Sequence, residues 1–364
     1  MSHKFHIHPE IEKAETLPAS FYRSDQIFEA LKEKVFLKTW QFLCNAEEIQ
    51  NPNEVLPINV LDKYLGESLI LSNDASSKLH CFSNVCTHRA NLILSERAKT
   101  KELVCGYHGR RFGLDGKFEF MPEFKQAQNF PRPCDDLHTF PLIKWGPMLF
   151  AGFDEKFDFQ SIIETMKARV GFLPIDDFVF DASRSKDYRV NAHWALYCDN
   201  FLEGFHIPFV HHDLNKALDY GNYATHIYDN CNLQIGYADS DANTFDLPTD
   251  HPDYGKNVAS YYYWVFPNMM FNFYPWGLSV NIVKPISKEL TKLSFLSYVW
   301  DETKIEGSAG EFLDRVEKED EDVVESVHQG IKSHFYKAGR FSPIREQGVH
   351  HFHLLLSKFM TREE

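Results

Sequence analysis

Two short segments carry residues of the kind that bind metals. Cys86-Thr87-His88 is followed, after sixteen intervening residues, by Cys105-Gly106-Tyr107-His108. Two thiolates and two imidazoles in equal number suit a structural zinc ion. They also suit a two-iron, two-sulfide cluster in which the thiolates bind one iron and the imidazoles the other. Spacing favours the cluster, because each segment mixes one Cys with one His and a single residue separates the first pair, closer than is usual in zinc fingers. The remaining cysteines, Cys44, Cys81, Cys134, Cys198 and Cys231, lack such partners and read as buried thiols. Seven cysteines in all, an odd number widely spread, argue against a disulfide framework.

A second pair of imidazoles lies further on. His206 and His211 stand five residues apart, with Pro208 between them disrupting a helix so that both rings turn toward one point. Activation of O₂ at ferrous iron needs two neutral imidazoles and one carboxylate on one face of the metal, with other positions left open. Two histidines alone are weak grounds for such a site. His3, His6 and His8, and His350, His351 and His353, have no acidic or thiolate companions and read as a terminus and a packed helix.

The elements that must position these residues fall into three stretches. Residues 18–42 read as a helical lead-in, with Phe21, Phe28, Leu31, Val35, Phe36 and Trp40 near helical spacing and Ser24 as N-cap. From about Val55 to Phe153 short apolar runs such as Leu69-Ile70-Leu71, Leu79 to Phe82 and Met148-Leu149-Phe150 alternate with turn residues, the pattern of a small all-β domain. Beyond 155, amphipathic helices alternate with aromatic and β-branched runs at Ala259 to Phe266, Met269 to Tyr274 and Leu278 to Val283, an α+β arrangement with an antiparallel sheet.

In these motifs the chain resembles the Rieske non-haem iron oxygenases, the ring-hydroxylating oxygenase alpha subunits. Their fingerprint is Cys-x-His, a gap of this length, then Cys-x-x-His, and it implies that Cys86, His88, Cys105 and His108 hold a [2Fe-2S] Rieske cluster. Respiratory-chain Rieske proteins add a further Cys to each loop. Here Arg89 and Ala90, and Gly106 and Tyr107, stand there instead, which points to the oxygenase branch. The family's second pattern is Asn, an acidic residue, two residues, His, four residues, His. It carries over onto Asn200, Glu203, His206 and His211, giving His206 and His211 as ligands of a mononuclear Fe(II) and Asn200 and Glu203 as catalytic residues. Many members have Asp one residue further from the Asn where this chain has Glu203. The third iron ligand is a distant Asp before a Gln-Gly-like pair, and Glu317 to Gly330 fits that description. Val316, Asp320, Val324, Val327 and Ile331 recur at helical intervals and select Asp320, while Asp322, about 200° around the helix, points outward. Asp322 and Glu319 remain competitors, and His212 is a fallback for the second imidazole.

The resemblance implies an N-terminal segment 1–42 packing on the catalytic domain, an all-β Rieske [2Fe-2S] domain over 43–155, and a helix-grip type catalytic domain over 156–364. No Gly-rich dinucleotide fingerprint opens a βαβ unit. Electrons therefore come from NAD(P)H through a separate flavin reductase, with or without a ferredoxin. Family members assemble as head-to-tail homotrimers, and Glu203 would bridge His206 to His108 of a neighbouring chain. The segment Phe266 to Asn272 with Tyr274-Pro275-Trp276 resembles choline monooxygenase and its relatives, implying a small quaternary ammonium substrate held by cation–π attraction. An aromatic substrate would suit the same pocket, and a Rieske electron carrier is the non-enzyme alternative. The formal charge of −14 argues against nucleic acid, and no apolar run approaches a membrane span. Without a signal-peptide core at the N-terminus the expected compartment is cytoplasmic, with a trimmed plastid precursor as the alternative.

Overall fold

The computed structural model describes residues 5–211, 220–238, 243–305 and 309–362, the last stretch with side chains from Arg315 onward. His3 and His212 lie outside them. The chain divides into two compact units, residues 40–155 and residues 1–39 with 156–364. No helix among the described residues is long and apolar enough to cross a membrane. The fold is α+β.

The first unit is built from ten short strands: β1 (Trp40–Asn45), β2 (Glu54–Val60), β3 (Glu67–Asn73), β4 (Leu79–Ser83), β5 (Ala98–Lys99), β6 (Leu103–Val104), β7 (Arg111–Phe112), β8 (Phe118–Phe120), β9 (Leu142–Trp145) and β10 (Met148–Gly152). They form antiparallel sheets in the orders β1-β10-β9, β4-β3-β2-β5 and β6-β7-β8. Trp40 does not extend the lead-in helix. Thr39 before it is already extended, and Trp40 opens β1 opposite Gly152. Val55, Ile70, Phe82, Leu103, Phe112 and Leu137 make one core, and Cys86 and Cys105 are members of it. Cys134 is exposed rather than buried, standing in the 3-10 turn Pro133–Asp135.

In the second unit, α1 (Ala19–Arg23) and α2 (Asp25–Lys34) come first. Ser24 caps α2, its Oγ accepting from the Ile27 N–H at 3.3 Å. The N-terminal stretch is tied to the C-terminal helix by Leu17 N–H donating to His353 Nδ1 and by His350 Nε2 bonding the His8 carbonyl. These histidines do structural work. After α3 (Phe159–Val170) the chain forms β11 (Val179–Val190), α4 (Trp194–Phe201), α5 (Ile207–Val210), β12 (Ala224–Ile227), β13 (Cys231–Tyr237), β14 (Val258–Val265), β15 (Met269–Tyr274), β16 (Gly277–Ser287), β17 (Leu290–Val299), α6 (Ala309–Ile331) and α7 (Gln347–Thr361). All seven strands join one antiparallel sheet in the order β11-β17-β16-β15-β14-β13-β12.

Alternation along β14 splits its aromatic run between the two faces. Tyr263 reaches the Thr165 carbonyl of α3, while Trp264 on the other face packs edge-on against Phe352 of α7. Trp264 and Trp194 are fully buried, and truncating either to Ala would cost about 3–5 kcal/mol. Pro275 and Trp276 link β15 to β16. Gly277 after them has φ +156°, and a Cβ there would lie 2.1 Å from the Tyr298 carbonyl oxygen, so only glycine fits.

The buried stripe of α6 differs from the apolar one read in the sequence. Val327 is 44% exposed, and Glu317, Glu321, Val324, His328 and Ile331 are the buried positions. Three of these are polar and held by partners: Tyr197 for Glu317, Lys318 for Glu321 and Glu289 for His328. A hydrophobic pattern cannot register such residues.

Candidate metal centres

The two cysteine segments fold into turns with the same bonding. Cys86 N–H donates to the Asn91 carbonyl and accepts, through its own carbonyl, the Ala90 N–H; Cys105 does the same with Arg110 and Gly109. In each turn the fourth residue after the Cys has positive φ, Ala90 at +52° and Gly109 at +70°. Asn84 pins the first turn, its Oδ1 accepting from Ile93 and Leu94 N–H groups. The Asn91 amide reaches the Cys105 sulfur at 3.7 Å and joins the turns. Buried Arg110 anchors the second, its guanidinium bonded to Asp135 at 2.8 Å and lying over Phe118.

The four side chains gather as two pairs. His88 Nδ1 and His108 Nδ1 are 3.1 Å apart, with rings at 72°. The thiols of Cys86 and Cys105 interact directly. Burial raises the Cys86 thiol. Burial also opposes ionisation of Cys105, but the Tyr107 and His108 backbone N–H groups, the Cys86 thiol and the Asn91 amide outweigh it and lower that thiol. Burial and the neighbouring His108 lower His88. Among the described residues, the one group of three or more His, Cys, Asp or Glu with ligand atoms within 4.8 Å of one another lies elsewhere. Sulfur paired with sulfur and nitrogen with nitrogen suit two metal ions, one for each kind of ligand, better than one.

That convergent group is His206, His211 and Asp320. Pro208 does not break a helix between the imidazoles. It stands in the first turn of α5, where its missing N–H costs nothing, with His206 as N-cap and His211 as C-cap. Asp320 comes from α6, its side chain 14% exposed beside the buried stripe. Its Oδ1 lies 3.0 Å from His211 Nε2 and 3.4 Å from His206 Nε2.

The outer nitrogens carry carboxylates. His206 Nδ1 bonds Glu203 Oε1, and His211 Nδ1 bonds Glu319 Oε2, each at 2.7 Å. A carboxylate only accepts, so each Nδ1 carries a proton, and each Nε2 faces a further acceptor, Asp320, across which a proton or a metal ion must sit. Acceptors so close need a positive charge between them. Burial alone would lower His211, but Asp320 and Glu319 reverse this and raise it, which expresses the same demand. A divalent ion meets it, since two ligand bonds of about 2.1 Å at right angles span about 3 Å. The donor set therefore fits a mononuclear metal of the two-histidine, one-carboxylate type.

Glu203 has a second task. Its Oε2 accepts from the backbone N–H groups of Phe205 and His206 and closes the turn. Asn200, half-buried near the end of α4, hydrogen-bonds to none of these groups. Tyr197 on α4 donates to Glu317 at 2.7 Å, and burial, with Glu317 and Asp320 nearby, pushes its hydroxyl well above the usual range. Asp322 is 67% exposed and pairs with Lys318. Glu319 was legible only as a rival ligand, and its place on His211 Nδ1 was not foreseen. Its position next to Asp320 is the one signal in the sequence.

Aromatic rings lie against the Glu203 turn. Tyr223 packs on Gly204, where a Cβ would fall 2.9 Å from the ring. Phe201 meets Tyr262 edge-on, Tyr262 meets Tyr274, and Tyr274 stacks on Trp276 at 5.3 Å and 9°.

Comparison with known proteins gives a consistent result. The profile of the ring hydroxylating alpha subunit (catalytic domain) matches residues 180–362, and that of the Rieske [2Fe-2S] domain matches residues 39–131. The chain is 29% identical to the carnitine monooxygenase oxygenase subunit of Escherichia coli K12, over 95% of this chain and 94% of that one. It is 27% identical to chloroplastic choline monooxygenase of Beta vulgaris, over 96% of this chain and 78% of that one. Among solved structures, a quaternary ammonium Rieske monooxygenase of gut microbiota, described for carnitine oxidation and inter-subunit electron transfer, superimposes with a TM-score of 0.75 at 25% identity, covering 98% and 100% of the two chains. Naphthalene 1,2-dioxygenase from Rhodococcus shares the fold, with a TM-score of 0.67 at 16% identity over 95% and 94% of the chains.

Proposed function

Because the chain belongs to the ring-hydroxylating alpha-subunit family and carries its Rieske domain, it is an oxygenase component that draws electrons from a partner, and we propose that it oxidises a quaternary ammonium cation. The observation that carries the site assignment is the convergence of His206, His211 and Asp320, with both outer imidazole nitrogens already bonded to carboxylates. In this reading those three residues hold ferrous iron, and Cys86, His88, Cys105 and His108 hold the [2Fe-2S] cluster. Bound there, the iron would supply O₂ activation and the cluster single electrons.

The protein's own contribution is orientation and charge. Glu203 and Glu319 fix the tautomer of each imidazole. In this reading Phe201, Tyr262, Tyr274 and Trp276 supply ring faces to the cation, and Glu203, near Tyr223, favours positive charge. The choline and carnitine monooxygenases among the relatives support this substrate class. Electrons arrive from NAD(P)H through a separate flavin reductase, with or without a ferredoxin.

Transfer between sites runs from one copy of the chain to another in a head-to-tail homotrimer, with Glu203 linking His206 to a neighbour's His108. Exposed apolar groups at both ends support such a meeting: Phe209, 72% exposed, with Phe205 beside the Glu203 turn, and Tyr107, 56% exposed and tilted against the His108 ring. Asn200, near the end of α4 and three residues before Glu203, is kept in this reading as a catalytic residue. The test is oxygen consumption coupled to product with choline, carnitine and simple aromatic acids, on protein carrying about three irons per chain. Coupled turnover of a quaternary ammonium compound is expected. Turnover confined to the aromatic acids would overturn the substrate class.

A further inference from the structure

The ring of His211 is gripped at both nitrogens by consecutive residues of one helix. Its Nε2 faces Asp320 at 3.0 Å and its Nδ1 bonds Glu319 at 2.7 Å. We infer that Glu319 is a positioning residue for the mononuclear metal, holding His211 in the orientation and tautomer in which its Nε2 can bind. The inference rests on His206, His211 and Asp320 being the ligands.

Three features lead to this role. The His211 side chain is 1% exposed, so its Nδ1–H needs a partner inside the protein, and a buried donor left without one costs about 1–3 kcal/mol. Glu319 is in hydrogen-bond contact with that nitrogen, and among the described residues no cation pairs with it; Lys318 next to it engages Glu321 and Asp322 instead. Geometry also excludes Glu319 from the ligand set. The two nitrogens of an imidazole lie on opposite edges of the ring, so an oxygen bonded to Nδ1 cannot reach the point where Nε2 meets Asp320.

The two histidines are thus oriented by different means. Glu203 is three residues before His206 and belongs to the same turn, so that pair is set locally. Glu319 is 108 residues from His211, and its bond exists only when α6 is docked. One helix turn supplies a ligand and orients another, which couples metal affinity to the seating of α6.

The experiment compares full-length, cluster-loaded Glu319→Asp, Glu319→Gln and Glu319→Ala with wild type and Asp320→Ala. It measures Fe(II) release to a chelator and the visible spectrum of the Co(II)-substituted site. Loss of an orienting carboxylate of this kind weakens metal binding by about 10–100-fold. Release is expected to quicken by that order in Glu319→Ala, less in Glu319→Gln, which still accepts a weaker hydrogen bond, and least in Glu319→Asp, with the Co(II) bands shifted in the same order and the Rieske spectrum unchanged. Wild-type release in Glu319→Ala, with Asp320→Ala unable to hold iron, would make Glu319 a bystander. Complete loss of iron in Glu319→Gln, equal to Asp320→Ala, would make it a ligand and overturn the positioning role. Iron retained in Asp320→Ala would sink the ligand assignment itself.

Discussion

The two candidate metal centres are built in opposite ways. All four cluster residues fall within 23 positions, from Cys86 to His108, on two turns whose backbone bonds are alike. The mononuclear group joins His206 and His211 to Asp320, more than a hundred positions away, and exists only through the packing of α6 against α4. A site made of local turns depends on backbone geometry, with residues such as Ala90 and Gly109 in the left-handed region. A site made of distant elements depends on helix docking, and this one adds a carboxylate behind each imidazole. The first should tolerate changes elsewhere in the chain, and the second should feel anything that loosens α6.

The largest expected effect is a clean exchange of losses. Cys105→Ser should abolish the red-brown colour and the low-g-average spin-resonance signal, leaving about one iron per chain where about three are expected, while Asp320→Ala should keep the colour and leave about two. Metal analysis with visible and spin-resonance spectra checks both. Loss of both metals in either variant would break the comparison, because it would mean that the two sites fold as one.

How far the sequence disclosed these sites follows from the same contrast. Cys86, His88, Cys105 and His108 stood out because residue spacing within a tight turn is written directly in the chain. His206 and His211 were legible as a pair, but Pro208 was misread as a breaker because a helix start and a helix break share the same residue. Asp320 was reached through a stripe that included Val327, which the structure exposes, and excluded Glu317, Glu321 and His328, which it buries. Asp320 nonetheless comes to the two imidazoles, because it lies beside the true stripe. Glu319 escaped because its role depends on a ring brought from another element, which no periodicity encodes. The strands were read well, since alternation and turn residues are local, and Trp40 was not, since apolar spacing over two turns cannot tell a helix from the strand that follows it.

A second, smaller effect concerns what holds the turns. Arg110 is 1% exposed and Asp135 is its carboxylate partner, so Asp135→Ala leaves a buried cation uncompensated and should destabilise the cluster unit by about 3–5 kcal/mol. Thermal unfolding followed by cluster absorbance reads this, and a change under about 1 kcal/mol would show that water reaches the guanidinium. The pH dependence has a definite sign. Burial opposes ionisation of Asp135, yet the Arg110 guanidinium and the Arg132 backbone N–H outweigh it and hold the carboxyl below its usual range. A group whose pKa is depressed in the folded state contributes fully above its unfolded value, about 3.9, and the contribution fades as pH falls toward the folded value. Wild type should therefore lose cluster-unit stability on acidification below about pH 4, and Asp135→Ala should lose less over the same range.

The smallest expected effect sharpens the comparison most on α6. Asp322 is two residues from Asp320, equally acidic, and indistinguishable from it by composition. Two residues turn a helix by about 200°, so a carboxylate that reaches the imidazoles at one position faces water at the other. The structure gives Asp322 an exposed ion pair with Lys318, of the kind that solvent and salt screen. Asp322→Ala should leave iron content, the Co(II) spectrum and the melting temperature at wild-type values, in salt as well as without it. Asp322→Ala without iron, beside an active Asp320→Ala, would mean that α6 is rotated by half a turn from the position described and that the distant half of the site had been misassigned.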